Sequence, residues 1–536
     1  MTVAAGALEC GSLLPLSKAG LQPGKAASAA LGNHEGCHDS LHIRMNEKFP
    51  APIYDETVLA VNFEDAKRYF LDSLLEIHSA HTLMLCRQRI LRRQEAEACL
   101  AALGNLDREA LAVAEREQSC EDLFFYIEQC LQQECGCDVA GKMHTARSRN
   151  DIDVTMYRMV LRREILKLVA AVVDALRVLL ECASDNLATL MPAYTHTQPA
   201  QPTTLAHYLM AAVEFLERDA SRLRALFDRV NRSPLGACAI TTTGFPIDRE
   251  YTAELLGFDG VQPNSYGAIA AVDYLTESAA TVAVSMISLG RLVQDLLLWC
   301  SAEFGFLRLD DAFVQVSSIM PQKRNPVALE HTRVLASKAL GQAQAVLTCA
   351  HNTPFGDTVD AEDDLQPLVL SMFYDGLRAL RLFAGVMSAA EVDKERLRRS
   401  VSDKPLTVTE LADTLVRKEG ITFRQAHQLV SQAVEEVAGA YTHQRLVAAL
   451  KRLAPKVIER RLKLADRECL KALDPKHFVE VRSIEGGPSP VRMQAAIARS
   501  RKVMASNQAW VKRKQQLLRS YPKRIGEAVA ALNGSA

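Results

Sequence analysis

The sequence predicts an all-α protein, and three observations lead to this prediction. Helical hydrophobic periodicity dominates from Phe63 onward, strand-like alternation is scarce, and no Gly or Pro occurs between Lys142 and Met191. The chain has 536 residues, of which 48% are hydrophobic, so it is long enough for several domains and a large buried core. Residues up to about Ile43 are small, rich in Gly and Ala and aperiodic, which indicates a flexible extension.

The long helices are predicted from stretches without helix breakers. The stretch after Lys142 favours one or two long helices. Between Leu161 and Leu180 the charges of Arg163, Lys167, Asp174 and Arg177 fall on a narrow stripe, so this helix should be buried on several sides. A second uninterrupted stretch runs over Thr203 to Ser233. Others, broken only by an occasional Gly and by one Pro near the start of the last, run over Ala268 to Phe304, Val327 to Leu340 and Leu365 to Val392. Helices this apolar need more partners than one small bundle supplies, so we expect a core that extends across subunits.

Composition and charge exclude several classes of protein. The formal net charge of -1 gives no general attraction to nucleic acid or to anionic membranes. The 13 cysteines include no CxxC pair, so we interpret them as reduced thiols of a cytoplasmic protein. The first twenty residues lack the pattern of a signal peptide, and we expect no later run to span a bilayer. The basic tail, Ala498 to Arg524, is interpreted as a solvated helix face rather than as a nucleic-acid patch.

Four polar segments interrupt the helical runs. They are HTARSRND (His144 to Asp151), YTHTQPAQP (Tyr194 to Pro202), PLGACAITTTGFPIDRE (Pro234 to Glu250) and VSSIMPQKRNP (Val316 to Pro326). Each lies at the end of a helical run, where side chains and free backbone N–H groups can converge on an anion. The segments are therefore the candidate functional sites.

The first two segments carry donors and a titratable group. Ser148, Arg149 and Asn150 are consecutive donors, and Arg can grip a carboxylate with two parallel hydrogen bonds. A helix cap with a surface ion pair is the alternative. His196, preceded by Thr195, is suited to general acid or base catalysis near neutral pH, although a lone histidine is more often structural.

The last segment carries a cation beside hydroxyl groups. Lys323 and Asn325 lie near Ser317 and Ser318, so the segment supplies the groups that a negatively charged intermediate needs around it. A polar surface loop is the alternative for this segment taken alone. The joint occurrence of all four segments favours a catalytic site.

These segments carry a family resemblance. SSIMPQKRNP resembles the flexible loop of the fumarase/aspartase superfamily, and the other three segments resemble those of argininosuccinate lyase within it. ELADTLVRKEGITFRQAHQLV and EGGPSP in the C-terminal part are similar to argininosuccinate lyase as well. The resemblance covers about Phe63 to Met493. It implies a three-domain fold whose central long-helix bundle is shared in a homotetramer, with an extension over 1–45, an N-terminal helical domain over 46–148, the bundle over 149–400 and a C-terminal helical domain over 401–536.

The resemblance also implies a reaction that needs no metal and no cofactor. This reaction is reversible elimination of fumarate from a succinyl group, in which a carboxylate becomes dianionic and its neutralisation dominates the barrier. The residues that match the family's carboxylate and charge-stabilising groups are Ser148, Arg149, Asn150, Thr195, Lys323 and Asn325, and Met320 of the loop is counted with the substrate-binding residues.

Two residues match the family's proton-transfer groups. Ser317 aligns with the serine used at the proton-transfer step, which a closing loop delivers to the substrate. His196 matches the family's histidine and Glu330 matches its carboxylate partner, which implies proton exchange at the leaving nitrogen. The opposite assignment, in which His196 removes the carbon proton directly or through water, stays open.

The chain departs from the family pattern at several positions. Val316 stands where a loop glycine is expected, and His78 stands where a serine is usual. In the segment that resembles the family's arginine-binding region, a tyrosine, a glutamine and a lysine are replaced by Asp357, Glu362 and Leu365. These changes make the amine side of the site more acidic, so Asp357 and Glu362 are predicted to bind the substrate.

Three functions follow from this resemblance. The first is elimination of fumarate from argininosuccinate to give arginine. The second is release of fumarate from another N-substituted aspartate, such as an aminopolycarboxylate or a natural-product intermediate. The third is a structural role, because the family includes lens crystallins with little or no activity. His196, Ser317, Lys323, Asn325 and Glu330 are all present, which favours an enzyme.

Overall fold

The computed structural model describes residues 49–116 and 120–534. The chain divides into two compact units, residues 1–56 and 57–536. Within the first unit the described residues include the short helix α1 (Pro52–Tyr54), and a π-helical turn covers Asp55–Leu59. The extension predicted for residues 1–45 lies outside the described residues.

Among the described residues of the second unit, six helices precede the long bundle. They are α2 (Ala60–Tyr69), α3 (Leu71–Arg87), α4 (Arg93–Asn105), α5 (Arg108–Val113), α6 (Leu123–Cys135) and α7 (Cys137–Met143). Aspartate caps begin two of them: Asp107 accepts hydrogen bonds from the first-turn amides of α5, and Asp122 does the same at α6. Helix α3 is buried along most of its length, including its two histidines.

Five long helices form the central bundle. In chain order the helices here are α8 (Arg149–Asp185), α9 (Leu205–Val230), the short α10 (Arg249–Leu255) and α11 (Ser265–Ala270), α12 (Asp273–Trp299), α13 (Val327–Ala350) and α14 (Leu365–Ala389). The stretch after Lys142 thus contains one helix of 37 residues. Helix α13 continues past Gly341, beyond the predicted limit at Leu340, because burial of Ala343 and Val346 outweighs the cost of about 1 kcal/mol for a helical glycine.

The bundle helices run alternately up and down. Helices α8 and α9 pack together, α12 packs on α9 and α13, and α14 packs on α13 and α8. At about 1.5 Å per residue, the 37 residues of α8 span about 55 Å and the 24 residues of α13 span about 36 Å. We call the two ends of the bundle the Arg149 end and the Asp185 end, after the terminal residues of α8. Every connection between the long helices lies at one of these two ends.

In the part of the chain that the structure describes, three small antiparallel sheets lie at the Asp185 end. Strands β1 (Leu190–Thr195) and β2 (Gln198–Thr204) form a hairpin, β3 (Leu307–Arg308) pairs with β6 (Glu391–Val392), and β4 (Gln315–Val316) pairs with β5 (Arg324–Asn325). The second polar segment is therefore mostly β-hairpin. Its turn residues His196 and Thr197 both have positive φ, 49° and 61°, and that geometry matches the twist of a two-residue hairpin.

The C-terminal part contains a second, smaller core. It comprises α15 (Lys394–Ser402), α16 (Val408–Glu419), α17 (Phe423–Val437), α18 (His443–Val457), α19 (Asp466–Ala472), α20 (Pro475–Glu480) and α21 (Pro490–Gly534). Helices α16 to α19 enclose their own hydrophobic cluster, whereas α21 returns to pack on α3, α8 and α9 in the main core. The predicted all-α class is confirmed, and the predicted domain boundaries stay predictions.

Helix α21 contains the basic tail that was expected to be solvated, and helix α12 concerns the expectation that no run spans a bilayer. In the basic tail, Trp510 and Tyr521 of α21 are buried, whereas Lys512 and Arg513 are exposed. Helix α12 is long and apolar enough, by length and composition, to cross a membrane. Length and composition alone do not show a membrane span, so the expectation that no run spans a bilayer stays a prediction. Within the bundle α12 packs on three long helices, which is how the core helix of a soluble protein passes the same criterion.

Candidate active site

The start of α8 anchors the first and third polar segments to each other. The Asp151 carboxylate accepts a hydrogen bond from the Ser148 amide at 2.9 Å, and from the amides of Gly236 at 2.7 Å and Cys238 at 2.9 Å. Burial raises the pKa of Asp151 to about 6, although these three amide bonds favour its charged form. The loop after α9 is therefore fixed against the first turn of α8.

Arg149 and Asn150 already have partners within the chain. Arg149 Nη1 donates to Asp122 Oδ2 at 2.7 Å and to Glu121 Oε1 at 3.1 Å. Burial lowers the pKa of Arg149, but the two carboxylates outweigh it and the net direction is upward. Asn150 Nδ2 donates to Asp357 Oδ2 at 2.6 Å. The structure thus brings together the first segment and the acidic segment predicted for the amine side.

Carboxylates gather around this contact. Partial burial and the neighbouring Asp357 carboxylate raise the pKa of Glu362 to about 8. Asp153, one helical turn after Arg149, has a strongly raised pKa because of burial and of the charges of Asp363 and other carboxylates nearby. The Arg149 end therefore holds a cluster of carboxyl groups with raised pKa values beside Arg149 and Asn150.

Sequence reasoning missed three members of this cluster. Asp153 and Tyr157 follow Arg149 at four-residue intervals on one face of α8, and the Tyr157 hydroxyl donates to Asp363 Oδ1 at 2.9 Å. The four-residue spacing of Arg149, Asp153 and Tyr157 is visible in the sequence and indicates that they share one face of the helix. The identity of the segment that packs against this face was not visible, because Asp363 is about two hundred residues away.

His196 lies at the opposite end of the bundle. It occupies the turn between β1 and β2, and both His196 and Thr195 are exposed. No hydrogen bond or ion pair links His196 to Glu330 among the described residues. Positive φ at a non-glycine residue is uncommon, and such residues concentrate at functional sites.

The Ser317 loop lies at the same end as His196. Its base is the pairing of β4 with β5, and Ser317 Oγ accepts a hydrogen bond from the Met320 amide at 3.2 Å. A cavity of about 590 Å³ is lined by Lys323, Asn325 and Glu330 together with the last turn of α12. The Lys323 ammonium is exposed and makes no ion pair with any residue in the described ranges.

The predicted site residues therefore form two groups. Ser148, Arg149, Asn150, Asp357 and Glu362 share the Arg149 end, and Thr195, His196, Ser317, Met320, Lys323, Asn325 and Glu330 share the Asp185 end. The bundle helices hold these groups about 35 to 55 Å apart within one chain. Neither end alone carries both the groups predicted to bind carboxylates and those predicted to transfer protons.

Comparison with protein families matches the two parts of the chain separately. A lyase family model matches residues 107–341, which contain the bundle helices α8 to α12 and most of the predicted site. The model for the C-terminal region of argininosuccinate lyase matches residues 405–480, which contain the smaller hydrophobic core.

Known proteins match over most of the chain. Argininosuccinate lyase 2 of Agrobacterium fabrum is 40% identical over 499 residues, covering 91% of this chain and 97% of the relative. The argininosuccinate lyase of Methanoculleus marisnigri is 39% identical over 455 residues, covering 85% and 92%. Among solved structures, EDDS lyase in complex with formate has a TM-score of 0.80 and 32% identity, covering 90% of this chain and 96% of that one.

The sequence identity to these relatives covers nearly their whole length, so it is not confined to the four polar segments. The family resemblance predicted from those segments is confirmed. The chain therefore belongs to the argininosuccinate lyase family, within the fumarase/aspartase superfamily of lyases.

Proposed function

We propose that this protein is a cytoplasmic homotetrameric lyase that eliminates fumarate from argininosuccinate and releases arginine. The 40% identity to an argininosuccinate lyase over 97% of that relative is the observation on which this proposal rests. The carboxylate-binding donors and the proton-transfer groups that the reaction needs are all present in the chain. These two sets of groups lie at opposite ends of one bundle, so an active site that contains both must take them from different subunits.

An active site assembled from several subunits accounts for this separation. Apolar side chains remain exposed on the long helices of a single chain, among them Val284 and Ile287 of α12, Val334 of α13 and Tyr374 of α14. Pairing these faces between subunits would bury apolar area, which stabilises association. If the subunits pack antiparallel, the Arg149 end of one lies beside the Asp185 end of another, and both groups of residues meet.

In the proposed site, the Arg149 end holds the succinyl carboxylates through Ser148, Arg149 and Asn150. Lys323 and Asn325 of another subunit neutralise the dianionic carboxylate that forms when the neighbouring carbon loses its proton. A free hydroxyl is a weak base in water. Ser317 can therefore take part in that proton transfer only after its loop has closed over the substrate. His196, oriented by Glu330, exchanges the proton at the leaving nitrogen.

The acidic group at the Arg149 end has a role on the amine side. Asp357, Glu362 and Asp153 present carboxyl groups where the substrate's amine half would lie, and those that are ionised attract its positive charges. The same carboxylates repel an amine half that carries its own carboxylate. Arginine carries positive and negative groups, so its affinity for this pocket depends on which of these groups faces the carboxylates.

This charge pattern favours one second candidate, a related lyase that releases fumarate from another N-substituted aspartate. The similarity to EDDS lyase, at 32% identity, is in keeping with such a range of substrates in closely related folds. Of the two substrate types named for this candidate, the acidic cluster favours a natural-product intermediate with a cationic amine over an aminopolycarboxylate, whose amine product carries carboxylates of its own.

The test is fumarate release, followed by ultraviolet absorbance, from purified protein given argininosuccinate, with arginine identified as the co-product. Fast turnover supports the first function. Absence of turnover, together with addition of another amine to fumarate in the reverse direction, would replace it by the second candidate. Absence of both activities from a folded tetramer would favour a structural role.

A further inference from the structure

We infer that His78 and Arg147 form a positioning pair that sets the geometry of the carboxylate-binding segment Ser148 to Asn150. The inference rests on the proposed function, because that function assigns the succinyl carboxylates to this segment. The pair lies behind the segment, between α3 and the start of α8, and it is separate from the acidic cluster described above.

The two side chains are joined by one well-formed hydrogen bond. Arg147 Nη1 lies 2.7 Å from His78 Nδ1, and both side chains are fully buried. A guanidinium group only donates, so Nδ1 of His78 is the acceptor and the imidazole proton is on Nε2. Burial and the charge of Arg147 keep the pKa of His78 well below its usual value, which is consistent with a neutral ring.

Little else satisfies the Arg147 guanidinium. The carboxylate of Glu128 lies 3.9 Å from Arg147 Nη2, which is too far for a hydrogen bond. Nε and Nη2 of Arg147 have no hydrogen-bond partner in the described part of the chain. Burial lowers the pKa of Arg147 to about 10. The bond to His78 is therefore the contact that fixes the direction of a buried cation.

The turn between α7 and α8 is held on its other sides as well. His81, one helical turn after His78 on α3, donates from Nε2 to the Thr145 carbonyl oxygen at 2.9 Å. Cys238 Sγ lies 3.2 Å from the Ala146 carbonyl oxygen, and Ala146 has a positive φ of 61°. Consecutive residues of the turn are thus fixed from α3 and from the loop after α9.

This arrangement transmits a displacement of Arg147 directly to the carboxylate-binding donors. Arg147 precedes Ser148, whose amide makes the hydrogen bond to Asp151 that begins α8. A shift of about 1 Å in a binding group is enough to weaken a reaction strongly. His78 therefore acts as a positioning residue rather than as a catalytic residue.

A matched pair of variants tests this inference. In His78→Asn the amide oxygen occupies nearly the position of Nδ1, so it can still accept from Arg147. In His78→Gln the amide oxygen lies farther out, near the position of Nε2, and the acceptor is lost from the Arg147 side. Asn is smaller than Gln, so a loss confined to His78→Gln cannot come from reduced packing against Phe124, whose ring centroid is 5.5 Å from that of His78.

The measurement is the dissociation constant of fumarate by titration calorimetry, together with KM and kcat. We expect about tenfold weaker fumarate binding and a higher KM for His78→Gln, with kcat within about threefold of wild type, and near-normal values for His78→Asn. Equal fumarate affinity in both variants and the wild type would overturn the inference. Equal loss in both variants would assign His78 a packing role and overturn it too.

A second variant covers the case in which His78→Gln does not fold. Arg147→Lys keeps the buried charge but loses the planar fork, so we expect a similar loss of fumarate affinity. Normal fumarate affinity in that variant would overturn the inference. Because fumarate binding does not depend on the amine, wild-type protein that binds fumarate but does not cleave argininosuccinate contradicts only the choice of substrate, whereas wild-type protein that does not bind fumarate contradicts both proposals.

Discussion

The two ends of the bundle differ in how completely their polar groups are paired within one chain. At the Arg149 end, Asp151 binds three amides, and Arg149 and Asn150 each contact carboxylates. At the Asp185 end, His196 and Lys323 are exposed and make no ion pair with the residues that the structure describes. The polar groups of the Arg149 end are therefore held by hydrogen bonds within their own chain, whereas His196 and Lys323 at the Asp185 end are exposed to solvent.

This difference separates two tasks of an enzyme. Rigid binding groups lower the ordering cost of capturing a substrate. The groups at the Asp185 end lie on a hairpin turn and a loop, which suits the proposed proton transfer at a site on a neighbouring subunit because they can move when that site closes. Variants at the two ends should therefore have different effects, and the following predictions are arranged from the largest to the smallest.

The largest effect is expected for His196→Asn at the Asp185 end. Loss of a general acid or base lowers kcat by about 10²- to 10⁴-fold. The melting temperature and the fumarate affinity should stay near wild type, because His196 is exposed. His351→Asn, another exposed histidine, is the matched control. A kcat above one tenth of wild type for His196→Asn would contradict the assigned role.

Mixing variants tests whether the two ends meet between subunits. We expect His196→Asn and Asn150→Ala to be nearly inactive separately. After denaturation and joint refolding, random assembly should restore about a quarter of wild-type activity, since a quarter of the sites then combine two intact ends. Each variant refolded alone is the control. No recovery, despite subunit exchange verified by mass spectrometry, would contradict shared sites.

The acidic cluster should affect binding more than chemistry. For the double variant Asp357→Asn with Glu362→Gln, we expect KM for a cationic substrate to rise about tenfold, or about 1.4 kcal/mol, with kcat changed by less than about threefold. Asp360→Asn, an exposed residue of the same segment, controls for net charge. An unchanged KM would remove both residues from the amine pocket.

The smallest effect is a pH dependence of the same pocket. Glu362 has a pKa raised to about 8 by burial and by Asp357, so its carboxylate is neutral below that pH and charged above it. KM for a cationic substrate should therefore fall as pH rises through about 8. In Asp357→Asn the neighbouring charge is absent, and the midpoint should move to lower pH. A midpoint that does not move would show that Asp357 does not control this titration.

The difference between the ends was partly visible in the sequence. The polar segments were recognised as sites because aperiodic, donor-rich stretches interrupt long apolar helices, and the helices themselves follow from hydrophobic periodicity. The acidic replacements at Asp357 and Glu362 were also visible. The contact between Asn150 and Asp357 was not, because the two residues are 207 positions apart in the chain.

Other features depend on partners that periodicity cannot identify. Arg158 and Arg162 of α8 are fully buried, and Arg162 donates to Asn231 and to the carbonyl groups of Leu256 and Gly257. From the sequence, charged residues inside an apolar helix are expected on its solvated stripe. Their burial becomes favourable only where carbonyl groups of a distant loop accept their hydrogen bonds.

The sequence by itself determined the all-α class, the long helices and the polar segments, because these depend on residues close together in the chain. The tertiary structure decided which segments share an end of the bundle, that YTHTQPAQP folds mostly as a hairpin, and that His78 supports Arg147. Those outcomes depend on the alternating direction of the long helices and on contacts across many residues. Local propensity carries no information on such contacts, because the free energy that selects them comes from packing and from pairing of buried polar groups.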